Sequence, residues 1–560
     1  MKKYLILFII ILSFCLYDEL FTVGLAAYKM LFYTIISALL GFLLFSSKAK
    51  FLLAYILIYA VLALPAVIVG ICNDNEVDMK MTLLFSSALL VLFFLLISFV
   101  RSKVLIGVLC AVLALPALIY SIYFSFSSAA FGADAFLAMI ETTPSEASEY
   151  LSAKINIFAF LFILLYMAFV TIFVMLASKL QPAKKAGFLI LSCLVFVFSL
   201  LYKNYLISNI YTNLFINVND YKNYLLNYQK NAAARQNSVE NLQFSDENGT
   251  FVVIIGESAN KEHFSAFNEN YKLTTPFLNE LKKEKNSIFF SAANSNHTHT
   301  TPTLTYALSA KNQYNNIDIK SAISIIELAN MAGFNTFWLS AQPAFGAYGS
   351  PITLLAKDAK NYEFSAESDT DYKLDIALAD ILKKQKIGGG KNLIFIHTMG
   401  SHWRYYLRYP SEFNEFGQGV INEYDNSVFY TDFVLSELFK IAKTLPNFKG
   451  LIYFSDHGEL PDNGMHDSNN FSPKMAQIPF FAYFSDDFIL ENKERFDTLK
   501  AHKDELWTND LLFNLLSSLL KISSSLDEQN NDISSKFYDA NKSRFRTLHG
   551  KKSLEKSLDD

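Results

Sequence analysis

The sequence predicts an N-terminal polytopic α-helical membrane domain followed by an α/β domain with a mostly parallel central sheet. Apolar runs dominate as far as about Ser208, and beyond that point charged residues, Asn and Ser surround short apolar segments. The chain has 560 residues, too many for one hydrophobic core. We place a transmembrane domain at residues 1–208, a bridging helical linker at 209–250 and a soluble domain at 251–560.

The membrane half contains runs that approach the length of a bilayer-spanning helix, about 20 apolar residues. We predict about five to seven helices, with seven candidate spans: Tyr4–Leu16, Phe21–Phe45, Phe51–Ile71, Met81–Val100, Val104–Phe124, Ile157–Ala177 and Phe188–Ile207. The first run is short, but a cleaved signal peptide is disfavoured because no small-residue cleavage site follows it. The loop 125–154 is rich in Ser and Ala and is compatible with a helix lying on the membrane surface.

Charges at the ends of these spans predict their orientation. Basic residues precede the first span, at Lys2 and Lys3. They also follow the second, fourth and sixth spans: Lys48 and Lys50, Arg101 and Lys103, and Lys179, Lys184 and Lys185. Acidic residues occupy the opposite connections: Asp18 and Glu19, then Asp74, Glu76 and Asp78, then Glu141, Glu146 and Glu149. Because cytoplasmic loops carry the excess of Lys and Arg, the N-terminus is predicted to be cytoplasmic and the soluble half to lie outside the inner membrane.

Composition excludes some classes of function. The formal net charge of −4 argues against nucleic acid as a partner. The four cysteines, Cys15, Cys72, Cys110 and Cys193, all lie in or beside apolar runs, so we interpret them as small hydrophobic residues. The candidate spans hold few ionisable residues, which disfavours a transporter.

In the soluble half, short apolar segments alternate with stretches of helical spacing, the pattern of an α/β fold. The predicted strands are "FVVIIG" from Phe251, "NTFWLS" from Asn335, "NLIFIHTMG" from Asn392, "GLIYFSDHGE" from Gly450 and "IPFFAYFS" from Ile478. Ligands of such sheets bind beyond the carboxyl ends of the strands. Four residues follow or end such apolar runs: Glu257, His397, Asp456 and His457. Their carboxylate and imidazole groups are ligands that suit Zn²⁺.

A nucleophile candidate lies in the segment "NSNHTHTTPTLTYALSA", which begins at Asn294. Its simplest interpretation is a polar loop before a helix, with Thr301 as the N-cap and Pro302 at the first helical position. That interpretation leaves Thr300 free at a helix N-terminus, where a phosphoryl anion is stabilised. We expect His397 to be a hydrogen-bonded strand-end residue, and Asp425 and Asp432 to cap or solvate their own helix.

Several of these segments together resemble the phosphoethanolamine transferases of Gram-negative bacteria, which include the lipid A-modifying and colistin-resistance enzymes. The matching segments are "GES" at Gly256–Ser258, "HFS" at His263–Ser265, "TTPFL" at Thr274–Leu278, "FWLSAQ" at Phe337–Gln342, "HTMGSH" at His397–His402 and "SDHGE" at Ser455–Glu459. The resemblance implies a periplasmic, sulfatase-like catalytic domain of the alkaline phosphatase superfamily over 251–560.

The resemblance also implies roles for individual residues. It makes Glu257, Asp456, His457 and Thr300 ligands of one or two zinc ions, with Thr300 also the nucleophile and Thr298 the alternative. It assigns substrate contacts to His402, His466, Gln342 and Ser340.

The implied reaction moves phosphoethanolamine from phosphatidylethanolamine to lipid A or another lipopolysaccharide sugar or phosphate, through a phosphothreonine-type intermediate. A phosphoglycerol transferase or a phosphodiesterase of the same superfamily is the alternative. A sulfatase would require a Cys or Ser in a Cys/Ser-x-Pro/Ala-x-Arg context, and the soluble half has neither a Cys nor that context.

Overall fold

In the computed structural model of the chain, the described residues are 5, 6, 8, 9, 11, 27–72, 79–100, 102–127, 131, 136, 157–183, 187–202, 219, 222–344, 350–365, 374–462, 466–468 and 471–555. The chain divides into two compact units, of which the second contains Lys222–Asp560. Most of the first predicted span and of the loop 125–154 lies outside the described residues, as do many of the charges used to predict orientation.

The first unit is helical where it is described. Its helices are α1 Ala27–Leu44, α2 Lys48–Cys72, α3 Met79–Ile97, α4 Lys103–Ser127, α5 Ile157–Ala177 and α6 Gly187–Tyr202. Among the described residues, three helices are long and apolar enough to cross a membrane: Lys48–Val69, Lys103–Ser125 and Ile157–Ala177. Three shorter apolar helices cover Tyr33–Leu44, Thr82–Ile97 and Leu189–Phe198. The total number of spans stays a prediction.

The second unit alternates strands and helices. Its helices are α7 Ala232–Asn237, α8 Pro276–Leu281, α9 Thr300–Ala307, α10 Ile325–Met331, α11 Pro351–Asp358, α12 Ala377–Lys384, α13 Val420–Ala442, α14 Asp486–Glu491, α15 Lys493–Ala501 and α16 Leu512–Leu519. Its strands are β1 Gln243–Phe244, β2 Gly249–Gly256, β3 Ser287–Phe290, β4 Ala293–Asn294, β5 Asn335–Ser340, β6 Asn361–Phe364, β7 Lys391–His397, β8 Phe448–Ser455, β9 Phe480–Phe484, β10 Trp507–Thr508, β11 Ile522–Ser523, β12 Arg546–Thr547 and β13 Lys552–Ser553.

A seven-stranded sheet in the order β3-β9-β8-β2-β7-β5-β6 forms the centre of this unit. Strands β8, β2, β7, β5 and β6 pair in parallel, whereas β9 is antiparallel to both of its neighbours. The predicted α/β fold with a mostly parallel sheet is therefore confirmed. All five predicted strands belong to this sheet, and the sequence analysis missed the two edge strands β3 and β6.

Both faces of the sheet are covered by helices, as a parallel sheet requires. On one face, Val252 and Ile254 of β2 share a buried cluster with residues of α8, α12 and α13. On the other, the ring of Phe251 contacts that of Phe488 in α14, with their centroids 5.7 Å apart. The strand β2 is buried along its whole length. It is the fourth of the seven strands, so the residue after it lies at the middle of the sheet edge.

Part of the predicted linker packs on the second unit. Residues 222–228 are helical, and α7 follows them. Arg235 of α7 is buried and donates to both carboxylate oxygens of Glu327 in α10, at 2.9 and 2.8 Å. Removing one partner of such a pair leaves an uncompensated buried charge, which costs about 3–5 kcal/mol. This ion pair therefore ties the helical segment to the α/β unit.

Candidate active site

The carboxyl ends of β2 and β8 bring Glu257 and Asp456 together. Gly256 and Ser455, the last residues of these neighbouring strands, are paired in register. The backbone N–H of Asp456 donates to the carbonyl of Gly256 at 3.0 Å. Two acidic side chains separated by 199 positions in sequence are therefore adjacent because their strands are adjacent. This is the convergence that the strand-end pattern predicts.

Ser258 holds both carboxylates. Its backbone N–H donates to Asp456 Oδ1 at 3.1 Å, and its hydroxyl donates to Glu257 Oε1 at 2.9 Å. Its φ of 54° lies in the left-handed region, which costs a residue other than Gly roughly 1–3 kcal/mol. Such strain concentrates at functional sites, and here it turns the chain so that one residue binds two acids.

Three buried ligand groups face one another at this edge. His457 Nε2 lies 3.4 Å from Glu257 Oε1 and 3.4 Å from Asp456 Oδ2. Tetrahedral ligands at zinc distances of about 2.0–2.1 Å stand roughly 3.3 Å apart, so the spacing fits a zinc ion. His457 Nδ1 lies 2.9 Å from the Gly458 carbonyl, and a bond donated there leaves Nε2 as the ligand atom. Asp456 Oδ2 is buried and has no hydrogen-bond partner among the described residues.

The electrostatics of this cluster also fit a cation. Burial raises the pKa of the Asp456 carboxyl well above its usual value, and the neighbouring Glu257 charge raises it further. Burial lowers the pKa of His457, but the carboxylates of Asp456 and Glu257 outweigh burial and raise it to about 10. Two buried carboxylates thus attract positive charge, which a divalent ion supplies.

Thr300 lies at this cluster, at the first position of α9. Its hydroxyl donates to Glu257 Oε2 at 3.0 Å. The predicted N-cap role of Thr301 is wrong, because α9 begins at Thr300 and its N-cap is His299. The helix begins two residues earlier than expected, at Thr300 instead of Pro302, and the Thr300 hydroxyl bonds to Glu257.

The alternative nucleophile, Thr298, occupies a different environment. It is fully buried, and its hydroxyl oxygen lies 3.2 Å from His299 Nδ1. Its side-chain hydroxyl contacts that histidine, whereas the Thr300 hydroxyl contacts Glu257. The geometry therefore favours Thr300 over Thr298 as the residue positioned for chemistry.

Gln342 reaches the same carboxylate from the end of β5. Its amide nitrogen donates to Glu257 Oε2 at 3.1 Å and to the Thr398 carbonyl at 3.0 Å. Ser340 supports Gln342, since its hydroxyl donates to the Gln342 carbonyl at 2.9 Å and accepts from the Gln342 N–H at 3.1 Å. The substrate contacts of these two residues stay predictions.

His397 differs from expectation. It is buried, with Nδ1 at 3.5 Å from Ser340 Oγ, and Nε2 has no hydrogen-bond partner among the described residues. Burial lowers its pKa to about 4, so the ring is neutral at physiological pH. The prediction of a hydrogen-bonded histidine therefore holds for Nδ1 but not for Nε2.

His402 is held by the backbone that follows it. Its Nδ1 lies 2.7 Å from the Trp403 carbonyl, and Arg408 donates to the carbonyls of His402 and Trp403, each at 2.8 Å. Arg408 therefore supports this loop from a buried position. With Nδ1 bonded to the backbone, the other ring nitrogen of His402 is the one available to a ligand.

A second group of possible ligands adjoins the first. His457, Glu459 and His466 each offer one ligand atom, and these atoms lie within 4.8 Å of one another. His466 Nδ1 lies 2.7 Å from Glu459 Oε2, and Tyr405 donates its hydroxyl to Glu459 Oε1 at 2.5 Å. No role was predicted for Glu459, although it ends the segment "SDHGE". Its position two residues after His457, in the same strand-exit turn, was the available signal.

Asp425 and Asp432 do not cap or solvate their own helix. Asp425 binds Lys272 Nζ at 2.7 Å and lies 2.7 Å from His263 Nδ1. Asp432 accepts from the backbone N–H groups of Phe277 and Leu278 at 2.8 and 3.0 Å, at the start of α8. Both carboxylates join α13 to a neighbouring segment, a contact that only the tertiary fold creates.

Comparisons with known proteins identify a matching family and several similar proteins. The sulfatase family model matches residues 249–514. The phosphoethanolamine transferase EptC of Escherichia coli strain K12 is 28% identical over 462 residues, which cover 72% of this chain and 78% of EptC. The integral membrane lipooligosaccharide phosphoethanolamine transferase A (EptA) of Neisseria meningitidis matches with a TM-score of 0.59 and 18% identity, covering 87% of this chain and 98% of that one.

A third match is the C-terminal periplasmic domain of EcEptC from Escherichia coli, solved in complex with Zn. It has a TM-score of 0.50 and 23% identity, and it covers 54% of this chain and 90% of that domain. These structural matches show the shared fold. The chain is therefore similar to the sulfatase family over residues 249–514 and to a phosphoethanolamine transferase over most of its length.

Proposed function

We propose that this protein transfers phosphoethanolamine from phosphatidylethanolamine to a cell-envelope acceptor, either lipid A or another lipopolysaccharide sugar or phosphate. The observation that carries the proposal is the hydrogen bond of 3.0 Å from Thr300 Oγ1 to Glu257 Oε2. It brings the Thr300 hydroxyl beside the carboxylate and imidazole groups of Glu257, Asp456 and His457, as the proposal requires. The sequence similarity to EptC supports the choice of the transferred group.

Glu257, Asp456 and His457 are the residues that would hold a zinc ion, and Thr300 would complete the set. A bound zinc ion supplies Lewis acidity and lowers the pKa of a hydroxyl group that it contacts. Glu257 orients the Thr300 hydroxyl through their hydrogen bond, and Gln342 fixes Glu257 from the other side. These contacts pre-position the nucleophile, which removes much of the entropic cost of attack.

The transfer has two steps. In the first, the Thr300 oxygen forms a bond to phosphorus while the bond from phosphorus to the diacylglycerol oxygen breaks, and the hydroxyl proton leaves the threonine. Diacylglycerol departs with a proton, and phosphoethanolamine remains on Thr300. In the second, an acceptor oxygen forms a bond to that phosphorus while the bond from phosphorus to the Thr300 oxygen breaks, and the Thr300 oxygen takes up a proton. His402 and His466 donate hydrogen bonds to the phosphoryl oxygens during both steps.

The experiment is intact-mass measurement of the purified full-length protein after incubation with phosphatidylethanolamine. We expect the wild type and the matched control Thr298→Ala to gain the mass of one phosphoethanolamine group, and Thr300→Ala to gain none. A gain on Thr300→Ala with loss on Thr298→Ala would move the nucleophile to Thr298. Gain of phosphoglycerol from phosphatidylglycerol, with none from phosphatidylethanolamine, would overturn the proposed donor.

We also propose that the protein is a multi-pass protein of the inner membrane with its α/β unit in the periplasm. The three long apolar helices and the predicted distribution of Lys and Arg support this. The α/β half contains no Cys, so Ser543→Cys introduces a single thiol at an exposed position of that half. A maleimide that cannot cross the inner membrane should label this variant in intact cells. Labelling only after lysis would reverse the orientation.

A further inference from the structure

The loop that carries His402 is anchored by a buried carboxylate. We name residues Thr398–Trp403 the His402 loop. The Asp375 carboxylate accepts hydrogen bonds from the backbone N–H groups of Met399 and Gly400, both at 2.8 Å. Asp375 is only 4% exposed, and it precedes α12, which contributes no residue to the ligand cluster. Hydrogen bonds to a charged acceptor are about twice as strong as neutral ones.

The opposite side of the His402 loop lies against Glu257. The N–H of Ser401 donates to the Glu257 carbonyl at 3.0 Å. Gly400 has a φ of 49°, and a Cβ added there would lie 2.7 Å from the Glu257 carbonyl oxygen and 2.9 Å from its nitrogen. Only a glycine permits this approach. The loop is therefore packed directly against the Glu257 backbone and hydrogen-bonded to it.

The far end of the loop is fixed separately. Arg408 donates to the carbonyls of His402 and Trp403. The Ser427 hydroxyl donates to the Ser401 hydroxyl at 2.9 Å. Asp375 thus accepts hydrogen bonds from backbone N–H groups in the first half of the loop. Arg408 donates hydrogen bonds to backbone carbonyl groups in the second half. Ser401, which lies between these two attachments, is in contact with Glu257.

We propose that Asp375 is a positioning residue of the transfer reaction, which acts through the backbone of the His402 loop to hold Glu257 and His402 in their working geometry. The inference rests on the proposed function. Asp375 does not contact the ligand atoms, so its contribution is geometric. Displacement of a catalytic group by about 1 Å can reduce the rate about 100-fold, and loss of an outer support costs about 10–100-fold in metal affinity or activity.

The test compares Asp375→Asn with Asp432→Asn in the full-length protein. Each aspartate is buried and accepts two backbone N–H bonds, but Asp432 supports α8, which contributes no residue to the site. An Asn side chain keeps the shape and loses one acceptor oxygen. The measurements are unfolding temperature, zinc affinity by calorimetry, and kcat and KM for head-group transfer.

We expect the unfolding temperatures of both variants to fall by similar amounts. Asp375→Asn should lower kcat by about 10–100-fold and weaken zinc binding by about 10-fold, with KM within about twofold. Asp432→Asn should leave kcat and zinc affinity within about twofold of wild type, since distant sites act independently. Equal stability loss with wild-type kcat and zinc affinity in Asp375→Asn would overturn the inference.

A second variant guards against misfolding of Asp375→Asn. Arg408→Lys keeps the positive charge but loses the planar donor group, so it should give the same kcat and zinc defects. A folded Arg408→Lys with wild-type kcat and zinc affinity would count against the anchoring of the loop. If the wild-type protein binds zinc but transfers no head group, the proposed function fails, and the zinc affinities of the variants still decide whether Asp375 positions Glu257.

Discussion

At the scale of single residues, the site depends on how the oxygens of Glu257 are shared. Oε1 accepts from Ser258 and faces His457, whereas Oε2 accepts from Thr300 and Gln342. One carboxylate therefore connects His457, the Thr300 hydroxyl and the Gln342 amide. Its four neighbours come from four different parts of the chain, which explains why no local motif reveals the arrangement.

Gln342 provides a prediction that separates two roles. If its amide orients Glu257, Gln342→Ala should weaken zinc binding and lower kcat by about 10–100-fold while KM changes little. If it binds the substrate, as the family resemblance implies, KM should rise and zinc affinity should stay unchanged. Gln385→Ala is the matched control, because Gln385 bonds to Glu363 and Ile381, neither of them a site residue.

At the scale of elements, buried carboxylates join helices to their neighbours. Asp432 of α13 binds the first N–H groups of α8, and burial raises the pKa of its carboxyl to about 7. In the unfolded chain this carboxyl titrates near pH ~4. Between those values, the folded protein keeps a proton that the unfolded chain releases. The stabilisation is therefore complete below about pH 4 and is lost as the pH rises through about 7.

We predict that Asp432→Asn makes the unfolding free energy less dependent on pH between about 4 and 7, by at most about 1.4 kcal/mol per pH unit, the limit for one proton. Some dependence should remain, because burial also raises the pKa of Asp358 to about 7. The three tryptophans, Trp338, Trp403 and Trp507, all lie in the α/β half and report its unfolding in urea. The exposed control Asp486→Asn should leave the slope unchanged. An unaltered slope in Asp432→Asn would contradict the assignment.

At the scale of the whole molecule, the α/β unit carries a negative cluster at the centre of its sheet edge. Glu257 and Asp456 are each almost fully buried and adjacent, and a single histidine lies between them. Unbalanced charge of this kind is destabilising unless a cation neutralises it. Metal binding should therefore be linked to the stability of the whole domain.

We predict that removing metal with EDTA lowers the unfolding temperature of the α/β unit and that added Zn²⁺ restores it. A ligand at 100 times its Kd stabilises a protein by about 2.7 kcal/mol. Mg²⁺ should not substitute, because it prefers octahedral oxygen ligands. The measurement is thermal unfolding followed by tryptophan fluorescence, with Glu257→Gln as the variant that should respond weakly to zinc. Identical unfolding curves with EDTA and with zinc would contradict the metal site.

Much of the fold was predictable from local pattern. Hydrophobic runs of bilayer length mark the first unit, and short apolar segments between helical stretches mark the second. Glu257, Asp456 and His457 were identifiable because each follows a buried strand. The edge strands β3 and β6 were missed because Ser287–Phe290 and Asn361–Phe364 are only four residues long. Such short segments carry little periodic signal.

The sequence by itself determined the α/β class, the strand-end acids and the polar loop that presents a threonine, because periodicity and strand ends are local properties of a chain. Only the tertiary structure decided that Thr300 rather than Thr298 bonds to Glu257, that α9 begins one residue before Thr301, and that Asp375 and Arg408 hold the His402 loop. Those contacts join residues far apart in sequence. Their geometry depends on strand order and register, which no single segment encodes.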